Sequence, residues 1–149
     1  VYASHLFEHL AKHDAAVFLK EARRVLRPGG VIRLVVPDLR RLAEAYVEAL
    51  AGGDDRASER FLYALNMHAD QTYGPDRTVL VRLVNWLQGY PHQHKYMYDA
   101  ATLGSVVSSH GFRAVRAATY GRSELIPEIA DVEHTAEGIP SVYVEAVRA

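Results

Sequence analysis

The sequence has no cysteine, which excludes disulfides, thiolate zinc sites, iron–sulfur clusters and a cysteine nucleophile, and leaves only His, Asp and Glu to hold a metal. Positive charge is not in excess either. Lys and Arg number 17 against 18 Asp and Glu, a net charge of −1, which disfavours sequence-independent attraction to nucleic acid. Arg or Pro interrupts every apolar stretch before the roughly 20 residues a membrane-spanning helix needs. The first residues show no basic-then-apolar leader, so neither a membrane nor secretion is expected, and the default location is cytoplasmic. What is present is 149 residues, 49% apolar and 23% charged, the balance of a single globular domain over 1–149 with a core of its own. Val1 opens directly into strand-like sequence, and on that ground the chain is expected to be a piece of something larger.

The pattern of apolar residues gives an α/β class. Val1–Ser4 is a short apolar stub, followed by a His-rich turn or short helix over His5–His13. Asp14 is the expected N-cap of a helix whose stripe is Phe18, Leu19, Ala22, Val25 and Leu26, stopped by Pro28, Gly29 and Gly30. Val31–Val36 is a β-branched run, the mark of a strand covered on both faces. Strand, helix, Gly-Gly, strand reads as a βαβ unit. Helical spacing returns in Leu39–Leu50, and two further helical stretches are expected near Arg56–His68 and Asp76–Gln88, so that 39–98 reads as a helical insertion. Tyr90–Tyr98 is a polar, aromatic connector. Asp99 can then cap a helix with Leu103, Val106 and Val107 inward, ended by Gly111. Phe112–Thr119 and Ser141–Val147 are the last strands, expected to pair antiparallel, and Tyr120–Pro140 between them reads as a loop.

The densest polar cluster is His5-Leu6-Phe7-Glu8-His9. It matches H-x-x-E-H, in which two His on a helix hold zinc and Glu is the base of a metallopeptidase. The plainer reading has one His capping a helix end or bonding a carbonyl while the other faces solvent. Position favours a third. In an open parallel sheet, ligands bind beyond the carboxyl ends of the strands, where His5, Glu8, His9 and Asp38 all fall. Asp38 serves equally as a simple helix cap. His92, His94, Lys95, Tyr96 and Tyr98 form a second cluster, either substrate-binding or a surface loop packed on the insertion. Leu62, Leu65, Leu80, Leu83 and Leu87 are core or a partner-facing surface, and Trp86 is core.

Taken in order, Val1–Leu10, then Phe18–Gly30 with its "RVLRPGG" string, then Val31–Asp38, resemble the back half of a class I S-adenosylmethionine-dependent methyltransferase of the type 11 kind. His94–Asp99 leading to a helix and Gly111-Phe112 is similar to the final helix and strand of such enzymes. The resemblance implies a partial Rossmann-like sheet made of strands 4, 5, 6 and 7, the last antiparallel. It also implies that S-adenosylmethionine lies near Ser4, His5 and Leu6 at the end of strand 4, with Asp38, His92 and Tyr96 toward substrate and 39–98 as a lid. His9 or His94 would be the base for an oxygen acceptor.

Relatives such as the ubiquinone O-methyltransferases and small-RNA 2′-O-methyltransferases carry E-x-x-E-H here, binding a divalent metal. By that likeness His5, Glu8 and His9 are candidate ligands, the imidazole of His5 shifting preference away from magnesium. The family's Gly-rich turn after strand 1 and the acid ending strand 2 have no counterpart in the sequence. The expectation is therefore the C-terminal half of a methyltransferase acting on a small-molecule or glycan acceptor, inactive alone. The edge of strand 4 would be open to the missing half or to a second copy. The alternatives are a non-catalytic binding domain and, more remotely, the zinc metallopeptidase.

Overall fold

The computed structural model describes residues 1–67, 93–133 and 138–149. In chain order these form β1 (Tyr2–Ser4), a single 3-10 turn (Phe7–His9), α1 (Lys12–Val25), β2 (Val31–Pro37), α2 (Leu39–Ala51) and α3 (Ala57–Leu65). They continue with α4 (Ala100–Ser109), β3 (Phe112–Ala118), α5 (Ile129–Val132) and β4 (Ser141–Arg148). The helix expected over Asp76–Gln88, with Leu80, Leu83, Trp86 and Leu87, lies outside the described residues, as does His92.

The four strands make one sheet in the order β1-β2-β4-β3. β1 runs parallel to β2, whereas β4 is antiparallel to both of its neighbours. A mixed α/β sheet of this kind is consistent with a methyltransferase-like fold. Alternation along the strands separates two faces. Ile32, Leu34 and Val36 of β2, Val142, Val144 and Ala146 of β4, and Ala3 of β1 join Ala15, Leu19 and Ala22 of α1 and Leu103 and Val107 of α4 in one core. Among the described residues β1 pairs only with β2, so its other edge has no strand beside it.

The opposite face is built on a charge. Arg33, which the near-continuous apolar reading of β2 passes over, is fully buried. Its Nε and Nη2 donate to the two oxygens of Glu133 at 2.7 and 2.6 Å, and Nη1 donates to Glu145 at 2.7 Å. The two remaining N–H groups reach the carbonyls of Thr119 at 2.9 Å and Arg122 at 3.3 Å. All five guanidinium donors are thus used. Glu145 stands directly across from Arg33 in the register, and the Tyr143 ring lies 5.3 Å from the guanidinium carbon. Arg33 thereby straps the 119–133 segment across the sheet. That segment is not all loop as expected, since Ile129 is buried in α5.

Local chemistry explains the helix ends. Asp38 accepts from the N–H groups of Arg40 and Arg41 and caps α2. Asp99 accepts from Thr102 N–H at 2.7 Å while its own N–H donates to Thr102 Oγ1 at 3.0 Å, a reciprocal capping box for α4. α1 differs from expectation: its N-cap is Ala11, and Asp14 sits inside the first turn, where its charge still favours the helix dipole. Val25, expected in the stripe, is 59% exposed because the helix ends there. α2 and α3 pack on each other with Tyr46 stacked on Phe61, and Leu62 faces outward.

Two outcomes are expected. Arg33→Met leaves the buried Glu133 with only the Gly121 N–H at 2.7 Å and Glu145 with only Arg116 at 3.7 Å, and lowers unfolding stability by about 3–5 kcal/mol, measured by urea denaturation. Asp99→Ala costs about 1 kcal/mol at neutral pH. The hydrogen bonds from Thr102 hold the Asp99 carboxyl below its ordinary range, so this contribution is complete above the unfolded Asp value and disappears as pH falls through the folded one. The wild type and the variant should therefore converge in acid.

Candidate active site

The site begins where β1 stops. His5 N–H still donates to the Val35 carbonyl at 2.9 Å, but His5 itself is left-handed, with φ 49°, a conformation unusual for a residue with a Cβ. The chain therefore leaves the sheet and enters the 3-10 turn. Phe7 anchors that turn, fully buried, with its ring 5.7 Å from Phe18 and 5.4 Å from Tyr98. Leu6 is left outward, 45% exposed, at the carboxyl end of β1 beside Ser4 and His5.

With Phe7 fixed, Glu8 is fully buried, and its carbonyl accepts the N–H groups of Lys95 at 2.7 Å and Tyr96 at 3.1 Å. The connector thereby docks onto the turn. His94 is held twice at the end of α3: its N–H donates to the Asn66 carbonyl at 3.0 Å, and its Nδ1 lies 2.8 Å from the Leu65 carbonyl. Asn66 supplies this carbonyl from a left-handed helix cap. His9 is held in the same manner, with Nδ1 3.1 Å from the carbonyl of Gln93. A carbonyl only accepts, so both Nδ1 atoms carry a proton, and in the neutral form of each ring Nε2 presents the lone pair. The two rings meet edge to face, 4.9 Å apart.

Ligand atoms of Glu8, His9 and His94 lie within 4.8 Å of one another. Neither Glu8 oxygen accepts a hydrogen bond, although His5 Nδ1 stands 3.3 Å from Oε1. On its far side His5 Nε2 is 3.4 Å from Ser141 Oγ. Burial lowers the His94 pKa, opposed by Glu8 and assisted by His9, which keeps its imidazole neutral at ordinary pH. Burial, with Tyr96 and Glu8 adding, pushes Tyr98 up to about 12, so its phenol stays protonated.

The structure thus brings together His9, His94 and Glu8, with His5 between Glu8 on one side and Ser141 on the other. Asp38 is engaged as a cap, although its backbone bridges Tyr98 and places it beside the connector. Tyr96 is half-buried, its ring 4.9 Å from Tyr98 and under the Lys12 ammonium. The metallopeptidase reading fails on geometry. His5 is left-handed and precedes a single 3-10 turn, so His5 and His9 do not share one face of a helix. Gln93 and Ser141 belong to the site without any sequence signal: one acts through its backbone carbonyl, and the other arrives from the far end of the chain.

Residues 1–34, which span β1, the 3-10 turn, α1 and the first half of β2, match the family model of a methyltransferase domain. The match spans 34 of the 149 residues. The match supports a class I S-adenosylmethionine-dependent methyltransferase domain, and it contains His5, Glu8 and His9. No curated protein matches the chain. Among the described residues, no helix is long and apolar enough to cross a membrane.

A buried carboxylate without hydrogen bonds costs about 1–3 kcal/mol, the kind of local cost that functional sites carry. In chelator, Glu8→Met is therefore expected to raise the thermal midpoint of the chain. A fall would show that the pairing with His5 outweighs the desolvation of Glu8.

Proposed function

We propose that the chain forms the acceptor side of an S-adenosylmethionine-dependent methyltransferase acting on a small-molecule or glycan acceptor. One observation carries the reading: the methyltransferase-matching stretch holds the polar cluster of His5, Glu8 and His9 just beyond the carboxyl end of β1, where ligands of open α/β sheets bind. The charge of −1 supports a small or uncharged acceptor over a polyanion.

The cofactor, when bound, supplies an electrophilic methyl group to an acceptor oxygen, nitrogen or carbon. Ser4, His5 and the exposed Leu6 fit one rim of it. The rest of a cofactor cradle does not fit these residues, because neither strand-to-helix junction of the parallel pair, 5–11 or the β2–α2 step at Asp38, contains a glycine. The edge of β1 that no strand covers among the described residues suits further strands carrying that cradle. What this chain contributes is position: the turn anchored by Phe7, the docked connector, and imidazole lone pairs on His9 and His94 toward which an acceptor hydroxyl can be aligned. The span 39–98, expected from the sequence to be a lid, would cover the acceptor. The same free edge supports a second reading, a non-catalytic domain that binds by completing a sheet with another chain.

Calorimetric titration with S-adenosylhomocysteine separates the two. Binding is expected in a chain extended upstream of Val1 and not in residues 1–149 alone. No binding in either overturns the catalytic reading and leaves the interaction domain.

A further inference from the structure

We propose that Glu8, His9 and His94 bind one borderline divalent cation, zinc in preference to magnesium, and that this cation clasps the 93–98 connector to the 3-10 turn. The resemblance points to His5, Glu8 and His9 as ligands. The geometry replaces His5 with His94, which lies far away in sequence and on a different segment.

Three observations carry the site. The Glu8 carboxylate is fully buried, and neither oxygen accepts a hydrogen bond, so it lacks a partner of the kind a buried anion requires. His9 and His94 each tie Nδ1 to a backbone carbonyl, at 3.1 and 2.8 Å, the outer bond that sets tautomer and ring direction in histidine metal ligands and frees Nε2. Ligand atoms of all three residues lie within 4.8 Å of one another. Two imidazoles and one carboxylate without thiolate suit zinc and its first-row neighbours better than magnesium, which favours oxygen and water. His5 is then a positioning residue, its Nδ1 3.3 Å from Glu8 Oε1, and its Nε2 is turned toward Ser141. The plainer account is an isolated His5–Glu8 pair beside two satisfied histidines, and it leaves the second Glu8 oxygen bare. Cation binding does not depend on the methyl-transfer reading, because it is read with neither cofactor nor acceptor present. If both readings hold, the Nε2 atoms act through the cation and not as free bases.

The test is calorimetric titration of the chelator-stripped chain with zinc and with magnesium, the fold being checked by circular dichroism. One zinc per chain is expected, with magnesium at least about tenfold weaker. Glu8→Gln and His94→Ala should each weaken zinc by roughly a hundredfold, whereas His5→Ala stays within about tenfold. Zinc should also slow proteolysis within 93–98 in the wild type and not in Glu8→Gln, which keeps the test open if His94→Ala does not fold. The proposal is overturned by a folded wild type that binds no zinc, by zinc affinity unchanged in Glu8→Gln, by a loss in His5→Ala as large as that in His94→Ala, or by zinc that leaves connector proteolysis unaltered.

Discussion

The sheet depends on a single buried cation. Arg33 sits in the middle of the strand covered on both faces, and with every donor occupied it neutralises part of the charge of Glu133 and Glu145 while bonding two carbonyls of the segment that crosses the sheet. A guanidinium taken out of water is tolerated only when each N–H finds an acceptor, and this one joins three separate stretches of chain to satisfy that condition. One face of the sheet is consequently polar at its centre and the other fully apolar. The apolar face carries α1 and α4 and thereby sets where the chain enters and leaves the carboxyl ends of β1 and β2.

At those ends the molecule concentrates features that work against stability. His5 adopts a left-handed backbone, and Glu8 buries a carboxylate that accepts no hydrogen bond. Phe7, wedged against Phe18 and Tyr98, holds both in place. The connector then bonds to the Glu8 carbonyl and brings His94 to His9. An apolar anchor and a few backbone hydrogen bonds keep in position a polar cluster that would not assemble by itself, as sites evolved for binding often do.

Much of this was legible in the amino-acid pattern. Apolar periodicity located α1, β2, α2, α4 and the two last strands to within a few residues, because a helix or strand that buries one side must repeat its apolar residues at that element's own period. Asp38 and Asp99 announced their caps through chemistry confined to a few neighbouring residues. Harder to read were α5, four residues long and too short for any period, and Arg33, whose charge in an apolar strand makes sense only with Glu133 and Glu145 beside it.

By itself, then, the sequence determined the α/β class, the elements around the site, the cluster at His5–His9 and the likeness to methyltransferases, since each rests on residues close together along the chain. Tertiary structure alone decided that His94 joins Glu8 and His9 while His5 turns to Ser141, and that Arg33 finds its carboxylates. Each of these pairings spans dozens of residues, and their partners are chosen by packing geometry, on which local spacing carries no information.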